Sequence, residues 1–206
     1  MTTIIAIQGD GFAAVSVDSR ISSMDEGGFA SQVMTLGPGS CKVAKNGKYL
    51  LGAAGDMRAI NILHHAFQPP APPIGTKGSK LDQFITTKFI PSLRACFEVQ
   101  GYAAPETDTS SHIAEHGSTI LVVVNGCIYV VDGDYSWTSD NSNVYALGTG
   151  SAYALGAMSA IIPKKSDITV VQAKTMTLKA LKIASTFDPY TGGPFTTFIQ
   201  EEEQDK

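Results

Sequence analysis

Apolar and polar positions alternate in short runs at the start of the chain. Ile4 to Ile7 and Phe12 to Val17 flank Gly9-Asp10-Gly11. An Asp-Gly pair between two such runs predicts a β-hairpin. Residues 21–40 are rich in Gly, Ser and Met without clear alternation, and read as a loop or irregular excursion. Lys42 to Ala44, the pair Asn46-Gly47 and Tyr49 to Ala54 predict a second hairpin. The period then changes. Met57, Ile60, Leu63 and His64 fall at helical spacing behind Asp56, a natural N-cap. Pro69-Pro70-Ala71-Pro72-Pro73 ends that helix and forms a stiff linker. Ser79 is placed to cap a second helix, whose Leu81, Ile85, Phe89, Leu93 and Phe97 recur every four residues as one buried stripe. Pro91 should kink it.

Residues 102–116 read as loop. Ser118 to Val124 and Cys127 to Val131 predict a third hairpin across Asn125-Gly126. Asn143 to Leu147 is another short strand. Gly148-Thr149-Gly150 leads into a small-residue helix over 151–162, stopped by Pro163. Asp167 is expected to cap a further helix reaching about Phe187, and Phe195 to Gln200 forms a last strand before the acidic tail EEEQDK. This order predicts an α+β fold in one domain over 1–206. Two antiparallel sheets packed face to face, each covered by a helix pair, give a four-layer αββα sandwich.

Composition narrows the function. The 206 residues are 43% hydrophobic and 17% charged, which excludes a disordered chain. Fifteen basic against nineteen acidic residues leave a net charge of −4, so no basic surplus exists to neutralise nucleic acid phosphates. The longest aliphatic run, Ile120 to Val124, is far too short to span a bilayer. The opening MTTIIAIQGDG has neither a basic start nor a long apolar stretch, so no secretory signal is expected. Three scattered cysteines, Cys41, Cys96 and Cys127, fit free thiols in a reducing cytoplasm. His64, His65, His112 and His116 form no metal set with Cys or Glu, and no cofactor is implied.

Five features could carry chemistry. Removal of Met1 would make Thr2 an N-terminal residue, with a hydroxyl and a near-neutral amine to accept its proton. Asp18 and Arg20 lie on one face at the end of a strand. Lys42 opens an otherwise apolar strand and could stabilise an alkoxide beside a carboxylate. Gly148-Thr149-Gly150-Ser151 offers backbone N–H groups at a helix start. Asp188-Pro189-Tyr190-Thr191-Gly192-Gly193 is a polar turn. Singly, each has a plain structural reading: an edge strand, a surface ion pair, a snorkelling lysine, a helix cap, a turn.

In combination and order they resemble one family, the β-type proteasome subunits and the HslV-type bacterial peptidases, which are N-terminal nucleophile hydrolases. The resemblance runs from about Thr2 to Ile199 and is most specific in TTIIAIQGDGFAAVSVDSR. Gly52-Ala53-Ala54-Gly55-Asp56 is similar to the family's strand-to-helix turn below the active site. The resemblance implies Thr2 as nucleophile, its α-amine as base, Lys42 lowering the pKa of the hydroxyl and Asp18 orienting Lys42. It implies Thr149, Asp188 and Thr191 around the amine, with Arg20 in support. It implies the Gly55 N–H as oxyanion donor and Ala53 at a roomy substrate pocket. Thr149 and Thr191 stand where the family usually has serine, and the stretch from Arg20 to Lys42 is longer than usual. The implied activity is that of a threonine endopeptidase in a ring-shaped homo-oligomer, acting on polypeptides, with an ATPase ring as a further implied partner, in the cytoplasm, with no nucleic acid or membrane partner. A catalytically silent ring or shell component, which would keep Met1 and tolerate Thr2→Ala, is the alternative. A small-amide hydrolase of the same nucleophile type is a third.

Overall fold

A computed structural model describes residues 1–24, 30–37, 39–102, 116–163 and 168–202. Strand β1 (Thr3–Gly9) turns through Asp10-Gly11 into β2 (Phe12–Val17), with Ile4 opposite Val17 and Gly9 opposite Phe12. Both strands are apolar at nearly every position because both faces are covered. Ile4, Ala6, Ala13, Val15 and Val17 enter one hydrophobic cluster, whereas Ile5, Ile7, Phe12 and Ala14 enter another.

Beyond β2 the chain departs from expectation. The described residues within 21–40 are largely regular rather than an irregular excursion. They contain β3 (Arg20–Met24) and β4 (Ala30–Thr35), an antiparallel two-stranded sheet with Arg20 opposite Thr35 and a register shift at Ser23/Met24. The pairing needs no alternation in sequence because the β4 side chains Val33 and Met34 are exposed.

The second predicted hairpin forms as β5 (Val43–Asn46) and β6 (Tyr49–Ala54). The third forms as β7 (Thr119–Val124) and β8 (Cys127–Val131). Its turn holds Asn125 at φ 51° and Gly126 at φ 71°, both positive as a type I′ turn requires. A short β9 (Trp137–Thr138), absent from the sequence reading, completes a five-stranded sheet in the order β5-β6-β7-β8-β9. The other sheet runs β10-β1-β2-β11, with β10 at Val144–Gly148 and β11 at Thr196–Glu201.

Helix α1 (Met57–His65) is N-capped by Asp56, whose carboxylate accepts from the Arg58 N–H at 2.8 Å. Helix α2 (Ser79–Phe84) begins after Gly78. Ser79 is its first residue rather than its cap and gives no capping bond. A π-helical turn over Ile85–Phe89 joins it to α3 (Ile90–Val99). The disturbance expected at Pro91 takes this form: the Ile90 N–H reaches back five residues to the Ile85 carbonyl, just before the proline that cannot donate. Helix α4 spans Ser151–Ile161. Helix α5 (Val170–Phe187) is capped by Thr169, which makes a reciprocal capping box with Gln172; the expected cap, Asp167, lies outside the described residues.

Three clusters hold these pieces. The first joins Leu51, Ala53, Ile120 and Val122 of the five-stranded sheet to Leu63 of α1 and the Leu81, Ile85, Phe89, Leu93 and Phe97 stripe. The second contains Ile4 and Val15 of one sheet with Leu50, Leu121 and Val123 of the other. The third sets Ile5, Ile7 and Ala14 against Ala154, Met158, Ala180 and Leu181 of α4 and α5. Gly52 lets the sheets approach closely, since a Cβ there would stand 2.8 Å from Ile4 Cδ1. No helix among the described residues is long and apolar enough to cross a membrane.

Candidate active site

Asp18 follows β2 and Lys42 precedes β5, so the ends of strands in different sheets bring them together. Lys42 Nζ lies 2.7 Å from Asp18 Oδ1, and neither side chain has any solvent exposure. The same ammonium donates to the Arg20 carbonyl and, at 2.8 Å, to the Met1 carbonyl. Its three protons therefore have three acceptors. Asp18 is equally well used. Oδ1 also accepts from the Thr3 N–H at 2.9 Å, and Oδ2 accepts from the N–H groups of Arg20 and Gly192, each at 3.2 Å. A buried ion pair survives desolvation only when its remaining hydrogen-bonding capacity is met, as it is here. Burial pushes the Lys42 ammonium below its usual range, with the Asp18 carboxylate opposing that shift.

The two N-terminal threonines are treated differently. Thr3, on which the sequence reading was silent, is tied down by its hydroxyl, which lies 2.5 Å from Thr191 Oγ1 and accepts from the Gly150 N–H at 3.0 Å. Thr2 is buried, and its carbonyl accepts from the Thr149 N–H at 3.0 Å; its hydroxyl carries no hydrogen bond among the described residues. Burial, followed by the Lys42 charge, lowers the pKa of the Met1 amine beside this site.

Asp188, the C-cap of α5, closes the far side. Its Oδ2 accepts from Thr149 Oγ1 at 2.8 Å and from Thr191 Oγ1 at 2.5 Å. The threonines at 149 and 191 thus use the hydroxyl they share with serine. Their bonds reach the Thr2 carbonyl and the Thr3 hydroxyl. Arg20 donates to the Pro189 carbonyl at 2.7 Å and lies against Gly192. Two glycines make the approach possible. At Gly148, with φ 90°, a Cβ would fall 1.7 Å from the Thr2 carbonyl oxygen. At Gly150 it would fall 2.5 Å from Thr3 Oγ1. Flanking a polar residue with glycines was the only signal in the sequence for this contact.

Gly55 and Asp56, both exposed, form the turn between β6 and α1. Gly55 adopts φ 133°, and a Cβ would stand 2.5 Å from the Gly117 carbonyl and 2.6 Å from Ser118 Oγ. Ala53, two residues earlier, is buried opposite Ile120, and its N–H donates to the Lys42 carbonyl at 3.4 Å. So β6 is tied directly to the residue carrying the buried cation. Ala53, Gly55 and Asp56 make no hydrogen bond to Thr2, and they lie outside the Asp18–Lys42–Asp188 network. Among the described residues, no group of three or more His, Cys, Asp or Glu side chains could hold a metal ion.

No protein-family model matches the chain. In sequence it is 26% identical over 190 residues to the ATP-dependent protease subunit HslV of Staphylococcus saprophyticus, covering 92% of this chain and 91% of that one. In structure it is similar to Thiobacillus denitrificans BPH, with a TM-score of 0.71 at 20% identity over 99% of this chain and 100% of that one. The same protein in complex with epoxomicin gives 0.69 at 19% identity, over 98% and 100% of the two chains. A eukaryotic HslV from Trypanosoma brucei gives 0.60 at 18% identity, also over 98% and 100%. Similarity in sequence to one HslV along nine-tenths of the chain, and a shared fold along nearly all of it, stand beside the buried Asp18–Lys42 pair next to Thr2: the chain is similar to the HslV-type peptidases and has their fold.

Proposed function

We propose that the protein is a threonine peptidase with the four-layer αββα architecture of N-terminal nucleophile hydrolases. In this reading Thr2 becomes the nucleophile when Met1 is removed. The observation that carries it is the position of Lys42 Nζ, buried against Asp18 and bonded to the Met1 carbonyl, one peptide bond from the Thr2 hydroxyl. Loss of Met1 frees both the Thr2 amine and one Lys42 proton.

The chemistry then follows from the groups in place. The Thr2 hydroxyl gives its proton to its own α-amine and adds through oxygen to the carbonyl carbon of an extended peptide. The Lys42 charge favours the developing alkoxide, and the Gly55 N–H receives the oxyanion. The ammonium passes its proton to the departing nitrogen as the peptide C–N bond breaks. Water then hydrolyses the Thr2 ester, regenerating the hydroxyl and releasing the acid. Asp188, Thr149 and Thr191 hold the N-terminal segment still. Arg20 braces the Asp188 turn.

Ring assembly, an ATPase partner, in keeping with the ATP dependence named for the Staphylococcus relative, and a cytoplasmic location belong to the same reading. The catalytically silent alternative is favoured only where Met1 stays, because its carbonyl then occupies the Lys42 proton the nucleophile needs. Hydrolysis of a fluorogenic peptide library by the native protein tests the choice. Thr2→Ala should abolish turnover and Lys42→Ala should cut it by about 10²–10³-fold while native mass spectrometry shows the same assembly, and Thr2→Ser should keep part of it. Equal turnover in Thr2→Ala would refute the reading.

A further inference from the structure

Ser118 sits just before β7, 62 residues from Asp56, and is 5% exposed. Its Oγ accepts from the Asp56 N–H at 3.0 Å and lies 2.8 Å from the Tyr102 hydroxyl. Tyr102 is itself held. Its N–H donates to the Phe97 carbonyl at 2.8 Å, and its ring meets Phe97 edge-on at 5.0 Å and stacks on His116 at 6.3 Å. A chain of contacts therefore runs from the core end of α3, through two hydroxyls, to the exposed Gly55-Asp56 turn.

The geometry gives this chain a purpose. Gly55 stands between two fixed points. Ala54 is paired with Thr119 in the sheet on one side, and the Asp56 N–H is held by Ser118 on the other. With φ at 133°, a glycine has no side chain to choose its conformation, so the flanking anchors must. We propose that Ser118, backed by Tyr102, is a positioning residue that fixes the Gly55-Asp56 turn and thereby aims the Gly55 N–H at the oxyanion. This rests on the peptidase reading above, in which Gly55 is the oxyanion donor. Ser118 touches neither substrate nor nucleophile. Its effect passes through the backbone.

The test uses the full-length native protein, Ser118→Ala, Tyr102→Phe and the conservative Ser118→Thr. Amide hydrogen exchange at Gly55-Asp56 reads the clamp without needing activity. Peptide kinetics and the affinity of a peptide aldehyde, whose tetrahedral adduct places an oxygen in the oxyanion site, read its consequence. Losing an oxyanion donor outright costs about 10²–10³ in kcat, so a misaimed one should cost about 10–100-fold in Ser118→Ala. Aldehyde affinity should fall by the same factor, with KM and unfolding midpoint unchanged, exchange at Asp56 faster and Ser118→Thr restoring all three. Tyr102→Phe should show the same pattern more weakly, and it decides the matter if Ser118→Ala does not fold. Unchanged exchange, or a loss confined to the unfolding midpoint, overturns the clamp. A wild-type protein with no turnover but an intact exchange effect would overturn the peptidase reading instead.

Discussion

The base of the site and its rim are built in opposite ways. At the base, Thr2, Thr3, Asp18, Lys42, Asp188 and Thr191 are all under 5% exposed, and Asp18 alone takes four hydrogen bonds from four different residues. At the rim, Gly55 and Asp56 are exposed, and the peptide between them hangs on one bond to Ser118. Redundant bonding at the base fixes charge and orientation in advance, as the proposed chemistry requires of a buried ion pair. A singly held rim leaves a backbone donor open to solvent. The difference implies that damage to the base should cost stability as well as chemistry, whereas damage to the rim should cost chemistry alone.

The largest stability loss should come from Asp18→Ala. It leaves the Lys42 ammonium buried without its carboxylate, a cost of about 3–5 kcal/mol that a denaturant titration will show. Gly148→Ala should approach that figure, because the new Cβ collides with the Thr2 backbone and cannot be relieved by a side-chain rotation. Lys42→Met sharpens the comparison. Asp18 keeps three N–H donors, so stability should fall less than in Asp18→Ala while peptide hydrolysis drops by about 10²–10³-fold. Gly192→Ala should be milder, about 1 kcal/mol, since the colliding group is the movable end of Arg20.

The smallest effect is conditional on pH. His116 is buried among Phe97, Tyr102 and Tyr135, and neither ring nitrogen makes a well-formed hydrogen bond among the described residues. Burial holds its pKa below the ordinary 6.5, with Asp132, Asp134 and the Ser118 backbone opposing. The unfolded chain therefore takes up the proton first. Its contribution to stability is complete above pH 6.5 and declines as pH falls below that value. His116→Phe should flatten the decline in unfolding midpoint between about pH 7 and pH 5. A decline identical to wild type would remove His116 as its source.

What could be read in the sequence divides along the same line. Hairpins announced by Asp10-Gly11 and Asn125-Gly126 are local events, set by residues that accept the turn geometry, and they form where expected. The β3-β4 hairpin was not legible, because its register comes from pairing and its side chains at Val33 and Met34 face solvent without a core to impose alternation. The Thr169 cap is written in the sequence as Thr-x-x-Gln, with Asp167 two residues earlier as a competing cap. At the site, Asp18 meets Lys42, and Asp188 meets Thr149 and Thr191; singly each had a plain structural reading, and only the resemblance picked them out together. Thr3, Ser118 and Tyr102 did not stand out. A hydroxyl beside a strand carries no signal until the fold shows which backbone it meets.

The intact mass of the native protein, before and after epoxomicin, tests the central claim most directly. The account requires a chain that begins at Thr2 and gains one adduct, with no adduct on Thr2→Ala. A chain that keeps Met1 and stays unmodified would contradict it.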